Sequence, residues 1–147
     1  MKQRRVLAIG VFDLFHVGHL RYLQQARVQG HHLTVGVTPD AVCLAVKGKS
    51  PVIPETQRLE IVRAIGWVDD VRLLPTSTED TIAAAAWIGE WGIDHVVVGN
   101  AWFGTPRWAR LLPLLADRGI TVEFVPQTEG ISTSDIVARI RSMGLAT

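Results

Sequence analysis

The fold of this chain is decided by the stretch Val6-Leu7-Ala8-Ile9-Gly10-Val11-Phe12-Asp13-Leu14-Phe15-His16-Val17-Gly18-His19, in which an apolar run leads through a glycine to two histidines. The pattern predicts a strand at residues 5–9 and a helix at residues 18–29, with Gly30 ending the helix. A strand, a glycine-containing turn and a helix N-terminus form a phosphate site in open α/β sheets, because free backbone N–H groups point at the ligand. Two imidazoles beside those groups would add donors. The stretch therefore predicts a chemical site as well as a fold.

Composition limits the class of protein. The chain has 147 residues, of which 48% are hydrophobic and 20% charged, and its formal net charge is +1. These values are typical of one globular domain, without a charge-driven attraction to nucleic acid or membrane. The single cysteine, Cys43, excludes an internal disulfide and fits a reducing compartment. We therefore expect one cytoplasmic domain, residues 1–147, that binds no nucleic acid and does not insert into a membrane.

Apolar, β-branched runs alternate with helical patterns along the rest of the chain. Further strands are predicted at 32–37, 70–74, 95–98 and 121–125, and further helices at 41–46, 55–65, 78–91, 106–118 and 132–143. This alternation predicts a Rossmann-like α/β fold, a doubly wound parallel sheet of five strands with helices on both faces. Loops 10–19, 47–54, 99–104 and 126–133 follow strands one, two, four and five, and should open on one edge. Ser77 or Thr78 is the expected cap of the fourth helix, with Asp80 in its first turn.

Two common phosphate motifs are absent. The opening stretch lacks the G-x-G-x-x-G fingerprint, and Gly48-Lys49-Ser50 lacks the glycine that a P-loop needs where Cys43 stands. Alternatively, His16 and His19 could bind zinc with Cys43, or could be structural, one capping the helix and one packed. Two histidines flanking Gly18 favour an anion site, because a missing side chain lets phosphate oxygens approach the backbone.

The other candidate groups have ordinary explanations when each is taken alone. Lys47 and Lys49 fit a solvated loop, and Arg58 fits an exposed helical arginine with an i,i+4 partner. Ser132, with Asp135 three residues later, fits a capping box at the start of the last helix. A cap and a phosphate site can coexist there, because they compete for only some of the free N–H groups.

Four segments together resemble the cytidylyltransferases of the HxGH nucleotidyltransferase superfamily. They are G-V-F-D-L-F-H-V-G-H, a Lys-Gly-Lys loop, E-T-Q-R followed by W-V-D-D-V, and T-E-G-I-S-T-S-D-I. The glycerol-3-phosphate, choline-phosphate and ethanolamine-phosphate enzymes are most similar, over residues 6–140. The resemblance implies transfer of CMP from CTP to a small phosphorylated or phosphonate acceptor, with release of pyrophosphate. It also implies Mg²⁺ on the triphosphate, with no metal ligand from protein side chains, and a homodimer.

The resemblance also assigns roles to residues. His16 and His19 would donate to the α- and β-phosphate oxygens in the transition state, and Lys47 and Arg58 would neutralise charge; these four are the expected catalytic residues. Asp13 would mainly order its loop. Lys49 and Ala101 are expected at the acceptor. The expected nucleotide-binding residues are Gly10, Val11, Phe12, Asp13, Gly18, Gly99, Asn100, Trp102, Gln127, Thr128, Gly130, Ile131, Ser132 and Thr133.

The chain departs from the cytidylyltransferase pattern at two places. Gly99-Asn100-Ala101-Trp102 stands where Gly-Asp-Asp-Trp is usual, and Gln127 stands where an arginine is usual. Asn100 and Gln127 keep hydrogen bonding without charge, and Ala101 keeps neither, so we expect a shifted nucleotide or acceptor preference. Two alternative functions are an adenylyltransferase of the same fold that uses ATP, and a nucleotide-binding module without turnover.

Overall fold

A computed structural model describes residues 3–144 of the chain; the predicted domain also includes residues 1, 2 and 145–147, which lie outside the described residues. The strands are β1 (Arg5–Gly10), β2 (His32–Val37), β3 (Asp70–Leu73), β4 (His95–Gly99) and β5 (Thr121–Val125). The helices are α1 (Val17–Arg27), α2 (Asp40–Lys47), α3 (Glu55–Arg63), α4 (Thr81–Glu90), α5 (Pro106–Ala116) and α6 (Thr133–Gly144), and a short 3-10 helix covers Asn100–Trp102.

The strands form one parallel sheet in the order β3-β2-β1-β4-β5. This confirms the predicted Rossmann-like, doubly wound fold. Because all strands are parallel, the loops after β1, β2, β4 and β5 lie at one edge of the sheet. The strand order changes direction between β1 and β4, which is where sheets of this class bind ligands.

Alternate side chains of β1 enter two separate hydrophobic cores. Val6 and Ala8 pack in a core with buried residues of α1 and α3, and Leu7 packs on the other face with α4 and α5. The valines of β4 also alternate between the two cores, and Val97 lies in the first. Strands buried on both faces have almost continuous apolar sequences, which is why these two strands were predictable.

The start of α4 differs from the prediction. Asp80 is the cap, because its Oδ1 accepts a hydrogen bond of 3.2 Å from the Ala83 N–H. The helix therefore begins at Thr81, and Asp80 precedes its first turn. Thr78 is buried, and its hydroxyl accepts a hydrogen bond from Arg107. The expected cap at Ser77 or Thr78 was wrong, because these hydroxyls bind elsewhere and a carboxylate stands closer to the helix.

The end of α1 also differs from the prediction. The helix ends at Arg27, with Val28 as its cap residue, and does not extend to residue 29. Gly30 permits a close approach between backbones instead of ending the helix. A Cβ added to Gly30 would lie 2.6 Å from the Arg4 carbonyl oxygen, so position 30 admits no side chain without a shift of the chain before β1.

Candidate active site

The loop after β1 makes a sharp turn with a constrained backbone. Phe12 and Leu14 have φ angles of 57° and 50°, which residues with side chains seldom adopt. The Phe12 ring folds back on Gly10, where an added Cβ would lie 2.9 Å from its Cζ atom. Phe12 is buried, so its ring packs beneath the loop and supports it. Position 10 requires glycine because the ring occupies the space of a side chain.

His16 and His19 lie at the start of α1 and form its cap together. His16 Nδ1 accepts a hydrogen bond of 3.0 Å from the Gly18 N–H, and His19 Nδ1 accepts one of 3.2 Å from the His16 N–H. This is a capping box made from two imidazoles. The two rings are stacked, with centroids 3.8 Å apart and planes inclined by 20°. The structural role and the proposed chemical role therefore use different nitrogens of each ring.

The capping bonds determine which nitrogen carries the proton. Each Nδ1 is an acceptor, so the neutral rings carry their proton on Nε2. Burial, followed by the charge of His16, lowers the pKa of His19 to about 4, against a smaller opposing effect of Asp13. Burial also lowers the pKa of His16. Both rings are thus neutral N–H donors at pH 7, and the buried His16 Nε2 has no hydrogen-bond partner within residues 3–144.

Arg58 on α3 is fully buried beneath the loop after β1. Its Nε donates to the Ile53 carbonyl at 2.9 Å, and its Nη1 donates to the carbonyls of Val11 and Thr38 at 2.7 and 2.8 Å. Its Nη2 pairs with Asp40 Oδ1 at 2.6 Å. The expectation of an exposed helical arginine is therefore wrong. The guanidinium fixes the backbone after β1 and β2, and a direct contact with phosphate stays a prediction.

Asp13 links the loop after β1 to the segment between α2 and α3. Its carboxylate accepts hydrogen bonds from the Val52 and Ile53 N–H groups at 2.8 and 2.9 Å. Lys47 is the last residue of α2, whereas the sequence placed it in the loop, because helical geometry persists until Gly48. Lys47 and Lys49 are exposed, and neither forms a hydrogen bond or ion pair within the described part of the chain.

The start of α6 packs against the loop after β1 and the start of α1. Thr133 Oγ1 donates a hydrogen bond of 2.9 Å to the Asp13 carbonyl oxygen. The side chain of Ile131 lies against Gly18, where an added Cβ would be 3.2 Å from Ile131 Cγ2. The first and last motifs of the sequence therefore meet in space, as their shared edge of the sheet requires.

The segment between β5 and α6 places several further predicted residues at this edge. The Ser132 hydroxyl accepts a hydrogen bond of 3.1 Å from the Asp135 N–H, which supplies the cap half of the predicted capping box. Gly130 has a φ of 78°, which allows the turn into the helix. The Gln127 side chain extends over β4, with its Nε2 3.2 Å from the position of a Cβ on Gly99. Thr128 lies between these groups and is half-buried.

Comparison with known proteins places this site in a family. The model of the cytidylyltransferase-like family matches residues 7–139. This chain belongs to the cytidylyltransferase-like family. Within residues 3–144, no helix has both the length and the apolar composition that crossing a bilayer requires.

Relatives of the chain in this family are larger proteins. The chain is 39% identical over 143 residues to the bifunctional protein HldE of Halorhodospira halophila, an alignment covering 97% of this chain and 28% of that protein. It is 37% identical over 145 residues to an ethanolamine-phosphate cytidylyltransferase of Arabidopsis thaliana, covering 95% of this chain and 32% of that protein. The chain thus spans roughly a third of the length of the curated relatives that it matches.

Solved structures have the same fold. A lipopolysaccharide core biosynthesis protein from Thermoplasma volcanium superposes with a TM-score of 0.68 at 29% identity, covering 86% of this chain and 98% of that one. TmcAL of Thermotoga maritima, solved with alpha-thio ATP, gives a TM-score of 0.67 at 13% identity, covering 96% of this chain and 51% of that one. The second likeness concerns the fold alone.

The departures from the cytidylyltransferase pattern after β4 lie at the rim of the site. Asn100 and Ala101 are exposed in the 3-10 helix, and Trp102 is 40% exposed. The Arg107 guanidinium lies over the Trp102 ring, 4.7 Å from its centroid. Arg107 is itself paired with Glu79 at 3.0 Å. A cation that sequence reasoning missed therefore fixes the orientation of Trp102.

The zinc alternative finds no support in the site. Within the described ranges, no group of three His, Cys, Asp or Glu residues could hold a metal ion. The Nδ1 atoms of His16 and His19 are already engaged by backbone N–H groups, and Cys43 is buried on α2. The two histidines therefore have no third ligand for a zinc ion within residues 3–144.

Tyr22 is the residue of this site that sequence reasoning missed most completely. It lies three residues after His19 on α1, and its ring is stacked on Phe12 with centroids 6.3 Å apart. Burial raises the pKa of its hydroxyl, which therefore keeps its proton and contacts the backbone of β1 and β4. The helical spacing from His19 was the available signal, because residues three apart share a helix face.

Proposed function

We propose that this chain is a nucleotidyltransferase that transfers CMP from CTP to a small phosphorylated or phosphonate acceptor. An oxygen of the acceptor attacks the α-phosphorus in line, the bond from that phosphorus to the β-phosphate bridging oxygen breaks, and pyrophosphate leaves. This step needs no covalent intermediate with the protein, so catalysis consists of positioning and stabilisation of charge.

The observation that carries the proposal is the state of the histidine pair. Two neutral imidazoles present Nε2–H donors at the N-terminus of α1, and the buried His16 Nε2 has no partner within residues 3–144. A buried donor without an acceptor costs about 1–3 kcal/mol, so a phosphate oxygen bound at this helix N-terminus would stabilise the His16 ring. Negative charge grows on the phosphate oxygens during transfer, and neutral donors fixed by a helix cap stabilise it without rearrangement.

The remaining groups would bind either the triphosphate or the acceptor. Ser132 and Thr133 would bind the β- and γ-phosphates at the N-terminus of α6, where free N–H groups favour anions. Lys47 would neutralise triphosphate charge, and Lys49 would do so at the acceptor. Mg²⁺ bound to the triphosphate would supply further charge neutralisation for the leaving pyrophosphate. A homodimer is part of the proposal on the strength of the resemblance to related enzymes, and a cytoplasmic location on the strength of the composition and the single cysteine.

A release assay for pyrophosphate tests the proposal. The chain is incubated with each of four nucleoside triphosphates and a panel of polyol, amino-alcohol and sugar phosphates and phosphonates, with Mg²⁺ present or replaced by a chelator. We expect release with CTP and one acceptor class only. Tight nucleotide binding without release under any condition would support the binding module instead, and the absence of both would contradict the proposal.

ATP is the second candidate nucleotide, and Gln127 is the reason. Its amide replaces the arginine that is usual in the cytidylyl branch, and Ala101 replaces a carboxylate. We expect the pair Gln127→Arg and Ala101→Asp to lower the KM for CTP and leave that for ATP unchanged. A preference for ATP in the parent chain, unaltered by both substitutions, would favour the adenylyltransferase.

A further inference from the structure

The ladder between β1 and β4 ends earlier than the ladders on either side of it. β1 stays paired with β2 as far as Gly10, and β4 stays paired with β5 as far as Gly99. The last pair between β1 and β4 is Ala8 with Val97. Two neighbouring strands therefore separate at their carboxyl ends, although each remains paired on its outer side.

The Tyr22 hydroxyl lies at the point where the two strands separate. It accepts a hydrogen bond of 3.1 Å from the Ile9 N–H and donates one of 2.6 Å to the Val97 carbonyl. The Ile9 carbonyl lies 3.1 Å from the same oxygen. In this register the next bond of a parallel ladder would join the Gly99 N–H to the Ile9 carbonyl. The Tyr22 hydroxyl lies beside the Ile9 carbonyl. It occupies the space that the Gly99 backbone would enter if the pairing of β1 and β4 continued.

The same side chain is coupled to the catalytic end of α1. The Tyr22 ring is stacked on Phe12 with planes inclined by 17°, and Phe12 meets the ring of His19 edge-on with centroids 5.5 Å apart. Phe12 in turn lies under Gly10, at the end of β1. Tyr22 therefore links two features of the site. Its hydroxyl lies where β1 and β4 stop pairing, and its ring supports His19 through Phe12.

We propose that Tyr22 is a positioning residue whose hydroxyl ends the β1–β4 ladder and so holds open the crevice between Gly10 and Gly99 for the nucleotide. The inference rests on the proposed function for its ligand, but its structural half stands without it. Without the hydroxyl, the Gly99 N–H is free to bond the Ile9 carbonyl, and the crevice closes by further pairs of the ladder.

Tyr22→Phe tests this inference, because it removes the hydroxyl and keeps the ring on Phe12. We expect slower hydrogen exchange at the Gly99 amide by NMR, because that amide joins the ladder. The KM for the nucleotide should rise about tenfold, which corresponds to about 1.4 kcal/mol, while kcat changes by less than about twofold. Loss of stability alone would instead speed exchange at many amides and leave KM unchanged.

Thr76→Val is the matched control. The Thr76 hydroxyl also accepts one bond, from Trp87 Nε1 at 3.1 Å, and donates another, to the Ser77 carbonyl at 3.1 Å. It lies beyond β3, away from the crevice, so exchange at Gly99 and the KM should stay as in the parent chain. Tyr22→Met removes the ring as well as the hydroxyl, so slower exchange at Gly99 is expected again, together with a fall in kcat because His19 loses the support of the stacked rings.

The two readouts separate this inference from the proposed function. If the parent chain uses no nucleotide, the proposed function fails, and exchange at Gly99 still decides whether Tyr22 holds the strands apart. Unchanged exchange at Gly99 in a folded Tyr22→Phe variant overturns the inference, whatever the activity. Slower exchange with an unchanged KM overturns its functional half.

Discussion

The hydroxyl of Thr133 donates a hydrogen bond of 2.9 Å to the carbonyl oxygen of Asp13, across 120 positions of sequence. The carboxylate of Asp13 meanwhile accepts hydrogen bonds from the Val52 and Ile53 N–H groups. One residue in the loop after β1 thus holds the start of α6 with its backbone and the α2–α3 connection with its side chain. The two sides of the site are aligned through Asp13.

Replacing Thr133 by Val should loosen this alignment, because the branched shape is kept and the donor is lost. We expect a loss of about 1 kcal/mol in the free energy of unfolding, as is usual for one hydrogen bond, and a higher KM for the nucleotide. Thr133→Ser keeps the hydroxyl and is the control in both urea unfolding and pyrophosphate release. Equal behaviour of the two variants would show that the bond has no role.

The capping box allows the chemistry of the histidine pair to be separated from its structural role. His16→Ser with His19→Gln keeps a cap of the Ser-x-x-Gln type and removes both imidazoles. We expect nearly unchanged thermal unfolding and a fall in turnover of at least about 10²–10³, the usual cost of losing one transition-state donor. His16→Ala and His19→Ala alone should lose both rate and stability. Near-normal turnover in the double variant would end the proposed mechanism.

The stability of the protein should fall as the pH falls below neutral. The pKa of His19 is lowered to about 4, chiefly by burial, whereas in the unfolded chain it is about 6.5. The unfolded state therefore takes up a proton first, so the stability linked to neutral His19 is complete above pH 6.5 and is lost between about pH 6.5 and 4. Urea midpoints across this range measure the effect. The His16→Ser, His19→Gln variant should lack this part of the decline.

Gly18→Ala should damage the site, because an added Cβ would lie 2.8 Å from His16 Cε1 and 3.2 Å from Ile131 Cγ2. We expect displacement of the His16 ring, a cost of about 1–3 kcal/mol from overpacking, and loss of turnover. Gly66→Ala is the control, because a Cβ there meets nothing within 4 Å. Should both variants behave alike in unfolding and turnover assays, a side chain at position 18 would not disturb the His16 ring.

Arg58→Met should destabilise the chain more than any exposed substitution on the same helix. It leaves the carbonyls of Val11 and Thr38 and the Asp40 carboxylate without their guanidinium partner, at a cost of about 3 kcal/mol or more. Arg63→Met replaces an exposed arginine of α3 and should change stability by less than about 0.5 kcal/mol. Urea unfolding of the two variants decides. Similar midpoints would mean that the buried network contributes little.

The sequence was sufficient for the fold because two neighbouring strands, β1 and β4, are buried on both sides. The valines of β4 and the run Val6-Leu7-Ala8 of β1 have no polar face, so they could hardly be anything except central strands between two layers of helices. Strand ends were predicted to within one residue, including those of the less buried edge strands β3 and β5. Helix starts were less predictable, since Ser77, Thr78 and Asp80 are all good caps and only the tertiary partner of Thr78 excludes it.

The site was predictable in its glycines and histidines but not in the groups that support them. Arg58 shares a helix face with Val62, four residues later, which is buried; that spacing was a signal for an internal arginine, but its acceptors come from three other segments. Tyr22 depends in the same way on Ile9 and Val97. Sequence patterns report the period of one element, whereas these side chains are defined by backbone groups of several elements.

The central place of β1 has a consequence for the way in which the chain is made. β2 and β3 follow β1 in the chain, so three of the five strands can pair while the rest of the chain is still on the ribosome. Until β4 emerges, the second edge of β1 offers unpaired N–H and C=O groups flanked by apolar side chains, which is the template that promotes aggregation. The strand that begins the active site is therefore the one that a nascent chain most needs to keep covered.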